Sequence, residues 1–377
     1  MKQPKLPSLF KELVDMPVSR LVDQAQEQGR RALAYTCSYM PEALLNVEGL
    51  CGVRVRAPGV VGTPMADTYL SSVICSYTRS LLELTLEGTF DSLDGWVFVA
   101  SCDHMRRLYD NMDYLLKPEF IHILDVPHKS GEAAEKWMTE ELTELAEKLS
   151  DAFGVDTGPE AVNRAVALQN RYLDVMRELS EMRKEKNPPI SGAAFSTLMT
   201  TSLASPKDLV IEPLEELAAQ LRKAPGIDDH RARLVLAGSQ CDDPYYVGVI
   251  EDTGGLVVAD RTCTGSVPAL APIPVDEKNP LAALAKRSLS NVSCPRMMED
   301  FKARVSEVLD VVKEYQADGV VLQTLKFCDT WGVEAAPMLS AIREAGVPVL
   351  RLEREYALTS QGQLQTRIQA FLESMGK

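Results

Sequence analysis

DGWVFVASCDHMRRLYDNM, residues 94–112, is the stretch from which the fold is read. Trp96 to Ala100 is an unbroken apolar run of strand length, as in a strand buried on both faces of a parallel sheet. It stops at Ser101-Cys102-Asp103, and a basic helix is expected from about 105 to 114. In open α/β sheets ligands bind outside the carboxyl ends of strands, and Cys102 sits at such an end. The same grammar returns near the C-terminus: Asp318-Gly319, an apolar run over 320–324, then Phe327-Cys328-Asp329. Two such units predict two α/β lobes, each aiming a cysteine at a shared cleft.

Working outward, strands are expected at 31–37, 51–56, 94–100 and 120–126. Helices are expected at 18–30, at 42–47 behind Pro41, whose fixed φ suits a first turn, and over a long run at 66–87 that carries Cys75 at or near a turn. Residues 58–64, with two prolines and two glycines, read as a loop. This alternation implies a parallel sheet. From about 131 the pattern changes to charged amphipathic helices at 132–153, 159–184 and 211–223. Asn187-Pro188-Pro189 breaks that block and Ala224-Pro225-Gly226 ends it. A second alternating region follows, with elements at 231–237, 244–252, 256–259, 296–315, 319–324, 331–345, 348–352 and 361–373. The expected organisation is an N-terminal α/β lobe over 1–130, a helical connecting segment over 131–228 and a C-terminal α/β lobe over 229–377, both lobes Rossmann-like.

At 377 residues the chain is long enough for two or three domains. Its net charge of −14 argues against a nucleic-acid partner, because phosphate binding needs clustered Lys and Arg. No apolar run has the length of a membrane span, and residues 1–17 lack the apolar core of a secretory leader. A cytoplasmic protein is expected. No GxSxG, Walker A or GxGxxG motif occurs, so the common hydrolase, P-loop and dinucleotide signatures are missing. Of four histidines, His122 and His128 flank a strand end, and a loop or core role outweighs catalysis for both. Met297-Met298 reads as core filler.

The eight cysteines remain: Cys37, Cys51, Cys75, Cys102, Cys241, Cys263, Cys294 and Cys328. A reducing compartment disfavours disulfides, and no CxxC pair occurs. Each thiol is either an inert buried group, a metal ligand or a nucleophile. Cys75, Cys102 and Cys328 lie where a strand or loop meets a helix, and helix N-termini and nearby cations favour thiolate. Arg106, Arg107 and Lys326 are close in sequence to two of the three. Three thiolates converging from two lobes could hold a [4Fe–4S] cluster and leave one iron open to water or substrate. Zinc on three thiolates is equally permitted by chemistry alone.

The run Cys75-Ser76-Tyr77-Thr78-Arg79-Ser80-Leu81-Leu82-Glu83, then Cys102-Asp103-His104-Met105-Arg106-Arg107, then Lys326-Phe327-Cys328-Asp329 resembles the three cysteine motifs of the 2-hydroxyacyl-CoA dehydratase / benzoyl-CoA reductase family. Tyr39-Met40-Pro41-Glu42 and Gly362-Gln363-Leu364-Gln365-Thr366-Arg367 match further segments, and the likeness runs in order from about 30 to 375. The resemblance implies a [4Fe–4S] cluster in the cleft between lobes, held by Cys75, Cys102 and Cys328. It also implies a related second subunit and a separate ATP-hydrolysing iron–sulfur activator that delivers one low-potential electron. In the dehydratases that electron makes a ketyl radical from a 2-hydroxyacyl-CoA thioester, which eases proton loss at the β-carbon so that water is eliminated. In the reductases two electrons enter the ring of an aroyl-CoA.

Dehydratase is the leading expectation. A benzoyl-CoA reductase-type subunit and a non-catalytic electron-transfer subunit are the alternatives, and the run 326–332 with Arg354-Glu355-Tyr356 leans toward the reductase branch. Ser38 and Glu42, after the first strand, are candidates to contact substrate, although Glu42 also suits a helix N-terminus stabilised by the dipole. Cys241, Cys263 and Cys294 exceed the three-cysteine pattern. A branch of the family, the homodimeric double-cubane proteins, binds an [8Fe–9S] cluster and needs more ligands than three. Its Cys-Pro motifs are reproduced here only at Cys294-Pro295. The plain reading of the extra cysteines is buried structural thiols.

Overall fold

The computed structural model describes residues 6–265, 270–358 and 360–377. Residues 1–5, the start of the stretch read for a leader, lie outside the described residues, as do 266–269 and 359.

Eight strands form two separate sheets among the described residues. Strands β1 (Arg31–Tyr35), β2 (Leu50–Arg54), β3 (Gly95–Val99) and β4 (Ile121–Leu124) lie in the order β2-β1-β3-β4. Strands β5 (Ala232–Gly238), β6 (Gly255–Arg261), β7 (Gly319–Leu325) and β8 (Val349–Arg354) lie in the order β6-β5-β7-β8. Every pairing is parallel. The chain is thus an α/β protein of two Rossmann-like lobes with the same strand order. The inner strands β1, β3, β5 and β7 are almost wholly buried, whereas the edge strands β4 and β8 are half-buried. Helices on both faces of each sheet account for that difference.

The two Asp-Gly pairs do the same work in each lobe. The Asp94 amide donates to Ala32 O and its Oδ2 accepts from the Ala32 amide, both at 2.8 Å. The Asp318 amide donates to Arg233 O at 2.7 Å and its Oδ2 accepts from the Arg233 amide at 2.8 Å. Each aspartate clamps the start of the third strand of its sheet to the first and so sets the register of β1/β3 and β5/β7. The glycine that follows sits in a crowded place. A Cβ on Gly95 would lie 2.9 Å from Phe120 Cβ, and one on Gly319 would lie 3.0 Å from Pro348 O.

The first sheet is covered on one face by Glu132–Phe153 and Pro280–Leu289 and on the other by Ser76–Leu86 and Asp103–Leu115. The second is covered by Phe301–Glu314 and Asp329–Glu344 on one face and by Pro244–Asp252 and Gln361–Ser374 on the other. Pro159–Glu181, Gly192–Leu203 and Lys207–Leu221 build a separate helical core. The stretch around Leu284, Leu289 and Met297, counted in sequence with the C-terminal lobe, packs into the core of the first lobe. No helix among the described residues is long and apolar enough to cross a membrane.

Several helical segments depart from expectation. The run 66–87 is not one helix: a single 3-10 turn, Ala66–Thr68, is separated from the helix Ser76–Leu86. The Glu83 carboxylate reaches back to the amides of Met65 and Ala66, donors at the start of that turn that have no intrahelical partner. The segment 296–315 becomes α-helical only at Phe301, after a turn at Arg296 and a 3-10 helix over Met298–Asp300. The Arg296 guanidinium holds that turn outside the helix by donating to four carbonyls, those of Ala100, Ser101, Val126 and Pro127. The helices Gly192–Leu203 and Pro280–Leu289 had no expectation. The first is buried on nearly every side, so it lacks the one-sided apolar period that marks a surface helix.

The lobes meet at residues just past the carboxyl ends of strands. Tyr356, two residues beyond β8, accepts from the Ala57 amide and donates to Asp242 Oδ2, while its own amide donates to Ser76 Oγ. Ser38, three residues beyond β1, donates to Cys263 O, two residues beyond β6.

Candidate metal centre

Cys75, Cys102 and Cys328 occupy equivalent local positions. Each is the residue immediately before a helix: Ser76–Leu86, Asp103–Leu115 and Asp329–Glu344. Cys102 and Cys328 follow the central strands β3 and β7, one in each lobe. All three side chains pack against one hydrophobic cluster on the first lobe; Cys328 acts electrostatically on Cys75 and Cys102, and Cys75 acts on Cys102.

Burial dominates their electrostatics. It pushes the Cys75 thiol up to about 11 and raises Cys102 and Cys328 as well. First-turn amides work in the opposite direction: those of Thr78 on Cys75, of Met105 and His104 on Cys102, and of Trp331 and Thr330 on Cys328. None closes a conventional capping bond, so these helix N-termini face sulfur with donors to spare. The thiols are neutral at pH 7, and a soft metal that displaces their protons would gain both the thiolate charge and those donors.

His104 was not singled out in the sequence, although it stands inside the second cysteine motif. Its Nδ1 accepts from the Cys75 amide at 3.2 Å, and its Nε2 lies 3.2 Å from Asp329 Oδ2. The ring therefore carries its proton on Nε2 and donates it to Asp329. Burial holds its pKa below the ordinary value against the pull of Asp329 and Asp103. One neutral imidazole, on the helix that Cys102 starts, thus ties down the backbone at Cys75 and the residue next to Cys328. Phe327, just before Cys328, has φ of 62° and an exposed ring. That left-handed step costs a non-glycine residue about 1 kcal/mol and re-aims the chain at the cysteine.

The expected counter-charges lie elsewhere. Arg106 pairs with Asp125, Arg107 with Asp110 and Lys326 with Glu355, all at the surface. Two buried cations, Arg54 and Arg296, act on Cys263 and Cys294 respectively.

Ser38 and Glu42 line a cavity of about 100 Å3 together with Arg54, Tyr172, Met199 and Ile273. Ser38 Oγ accepts from Arg54 Nη1 at 3.0 Å and donates to Cys263 O at 2.5 Å. Glu42 opens the 3-10 helix Glu42–Asn46, as its helix-start reading requires. Its carboxylate is nonetheless engaged by other groups. Lys207 Nζ lies 2.5 Å from Oε1, Gln169 donates to Oε2 at 3.0 Å, and the Tyr35 hydroxyl bonds to it. Lys207, fully buried, also donates to the carbonyls of Ser202 and Ser205. The pair staples the helical segment to the first lobe, a contact between residues far apart in sequence that no local pattern signals.

Among the described residues no group of three or more His, Cys, Asp or Glu side chains is disposed to hold a single metal ion. A tetrahedral zinc needs its sulfurs about 2.3 Å from one point. A cubane spreads three thiolates over three iron corners, a wider arrangement that suits ligands drawn from three helix starts. The soft, all-sulfur donor set fits an iron–sulfur cluster on the same grounds.

Comparison with known proteins gives a consistent set of relatives. The (R)-phenyllactyl-CoA dehydratase beta subunit of Clostridium sporogenes is 23% identical, over 97% of this chain and 97% of its own. The (R)-2-hydroxyglutaryl-CoA dehydratase subunit beta of Acidaminococcus fermentans is 26% identical, over 92% and 93%. A benzoyl-CoA reductase subunit of Thauera aromatica is 24% identical, over 95% and 93%. Residues 37–375 match the family described as 2-hydroxyglutaryl-CoA dehydratase, D-component, and the span takes in all three helix-start cysteines. The chain belongs to that family, whose dehydratase and reductase members act as subunits of enzymes on CoA thioesters.

Proposed function

We propose that this chain is the [4Fe–4S] subunit of an ATP-activated, radical-type 2-hydroxyacyl-CoA dehydratase, working with a related second subunit and an ATP-hydrolysing iron–sulfur activator. The observation that carries the reading is the convergence of Cys75, Cys102 and Cys328 from three helix starts on two lobes, tied together by His104. A [4Fe–4S] cluster bound there supplies one low-potential electron to the thioester.

The chain's own residues prepare the surroundings. The three thiolates anchor the cluster, and the buried setting of Cys75 and His104 keeps water away. First-turn amides aimed at sulfur stabilise negative charge and raise the tendency to accept an electron. The cavity is large enough for a short acyl group and too small for a whole CoA thioester. Arg54, whose Nε has no partner within the fold, offers a polar hydrogen at its wall that would orient an acyl oxygen, whereas the Ser38 hydroxyl is already given to Cys263 O. Glu42 already faces Lys207, Gln169 and Tyr35, so it shapes the wall and is not free to serve as a base.

The test is anaerobic reconstitution of the full chain, followed by metal analysis and EPR. The expected result is a reducible iron–sulfur cluster that Cys102→Ser abolishes. Zinc in place of iron, or cluster content unchanged in Cys102→Ser, overturns the reading. Turnover with partner and activator on a 2-hydroxyacyl-CoA supports the dehydratase; turnover only on an aroyl-CoA transfers the chain to the reductase reading, which the Thauera aromatica relative favours.

A further inference from the structure

We propose that the cavity between the loops past β2, β5 and β8 is a binding site for a small zwitterion with an apolar side chain, an α-amino acid, held by its ammonium on Asp242 and by its carboxylate on Arg56. No cysteine lines this cavity, so the inference does not depend on the cluster reading.

Both lobes build the site. The N-terminal stretch contributes Asp15, the loop past β2 contributes Arg56 and Val60, the loop past β5 contributes Asp242, and the loop past β8 contributes Leu358. Three of these segments lie at carboxyl ends of strands, where sheets of this class place ligands. The cavity holds about 290 Å3 and shares no lining residue with the one at Ser38 and Glu42. Small-molecule sites begin near about 300 Å3 and are mostly apolar, with a few polar groups that fix orientation.

Two side chains of opposite charge are buried in its wall, each with a valence unfilled. Asp242 and Arg56 are both 3% exposed. Asp242 Oδ2 accepts from the Tyr356 hydroxyl at 2.9 Å, but Oδ1 has no partner among the described residues. Arg56 Nη2 donates to the carbonyls of Leu13, Val14 and Met16, but Nε has no partner either. The two orphaned atoms therefore do not bond each other. They do share one field: burial lowers the Arg56 pKa, against the pull of Asp242, Tyr356, Asp15 and Asp243. Buried polar atoms without partners are costly and uncommon. A ligand that offers an N–H to one and an oxygen to the other satisfies both.

The charges select the class of ligand. Asp15, Asp242 and Asp243 face a single guanidinium. Asp15 accepts from the Tyr245 hydroxyl and Asp243 from the Tyr245 amide, each at 3.0 Å. A plain carboxylic acid adds to that acidic excess. An amine without a carboxylate leaves Arg56 Nε unpaired. An amino acid lowers the excess and still reaches Arg56. Pro58, Val60, Val61 and Leu358 supply an apolar wall for its side chain. Water filling the same space finds few of the two to four polar partners that each ordered molecule needs. Val61 and Tyr245 are exposed, so the cavity opens to solvent.

Tyr356 links the site to the metal centre. Its hydroxyl bonds Asp242 and accepts from the Ala57 amide, its ring packs on Tyr77 with centroids 5.2 Å apart, and its amide donates to Ser76 Oγ, next to Cys75. An amino acid seated across the joint adds bonds that exist only while the lobes keep this arrangement, and so stabilises it.

The experiment is isothermal titration calorimetry of the full, metal-free chain with L-leucine and L-phenylalanine, each beside the amine that lacks its carboxylate and the acid that lacks its ammonium. An amino acid is expected to bind, and its two analogues at least about tenfold more weakly, because each leaves a buried charge unpaired. Asp242→Asn keeps an acceptor for Tyr356 and turns an amide toward the ammonium; it is expected to weaken binding about tenfold or more. Ala357→Phe fills the cavity and is expected to abolish binding. Amide exchange checks the fold of both variants, and in the wild type the bound amino acid is expected to slow exchange at Ala57. No binding of either amino acid at about 10 mM overturns the proposal and leaves the cavity to water. Equal binding of the amine or the acid, or binding that survives both variants, overturns it as well. So does binding of coenzyme A in place of the amino acids, lost in Ala357→Phe. None of these outcomes bears on the cluster reading, which is decided by iron content.

Discussion

His104 makes two contacts of unequal worth, and two substitutions separate them. Asn at 104 places an amide oxygen near the position of Nδ1, so it keeps an acceptor for the Cys75 amide and loses Asp329. Gln places an amide nitrogen near the position of Nε2, so it keeps a donor for Asp329 and leaves the Cys75 amide unpaired. Cys75 and His104 are 7% and 5% exposed, and an unpaired buried donor costs about 1–3 kcal/mol. The Asp329 side chain is 53% exposed, so its contact is worth under about 1 kcal/mol. Loss of ring packing is similar in both. His104→Gln is therefore expected to be about 1–2 kcal/mol less stable locally than His104→Asn. Because a chain of two lobes need not unfold in one step, the assay is amide hydrogen exchange at Cys75 in the metal-free protein. Exchange should be about tenfold faster in the Gln variant for each 1.4 kcal/mol. Equal rates in the two variants, or better protection in Gln, would refute the role given to Nδ1 and the tautomer assigned to the ring.

Glu42→Gln leaves Lys207 charged and buried beside two carbonyls and the Tyr172 ring, with no anion to pair it; a loss of about 3–5 kcal/mol in urea unfolding is expected, with partial recovery in Glu42→Gln/Lys207→Met. Tyr356→Phe removes the acceptor for the Ala57 amide and the donor to Asp242 between the lobes, a cost of about 1–3 kcal/mol that should appear as faster exchange at Ala57. His122 is held neutral in the fold, its pKa lowered from 6.5 to about 4 by burial and by Lys148, against a smaller opposing pull from Glu144. Protonation therefore favours the unfolded chain: this contribution is complete above pH 6.5 and is lost as pH falls toward 4, about 3 kcal/mol at most. Urea midpoints at pH 7 and pH 4.5 should converge in His122→Asn relative to the parent, and an unchanged difference would count against it.

What was legible in the sequence follows from how local the cause is. β3 and β7 were readable because a short apolar run with an aspartate-glycine start is a local pattern, and the structure shows that aspartate clamping the neighbouring strand in both lobes. The helix Glu132–Phe153 was readable because one of its faces is wet. Gly192–Leu203 was not, since burial on most sides removes the period. The break before Cys75 was missed because the residues before it are held by Glu83 on the far side, a contact between residues 17 and 18 apart that no local pattern signals. The three cysteine motifs marked the three helix-start thiols. His104 stood inside one of them, but its value lies in contacts with Cys75 and Asp329, both far from it along the chain. The company kept by Glu42 was beyond local reading for the same reason.

The repeated lobe also explains why the centre is asymmetric. Equal strand order and equal aspartate clamps make Cys102 and Cys328 counterparts, each past the third strand of its sheet. By the same mapping Cys37, past β1, has its counterpart in Cys241, past β5. Cys241 turns into the core of the second lobe, beside Asp242, Asp243 and Arg354, and takes no part among the other thiols. Cys263, past β6, approaches the cleft instead and has no counterpart past β2, where Arg54 ends the strand. Arg54 is the residue that binds the Cys263 carbonyl. A sulfur in one lobe is thus matched by a cation in the other, at equivalent ends of equivalent strands. Cys75 and Cys102 come from the N-terminal part of the chain and Cys328 from the C-terminal part. Neither lobe brings the three together alone, and the inter-lobe bonds at Ser38, Ser76 and Tyr356 hold that arrangement.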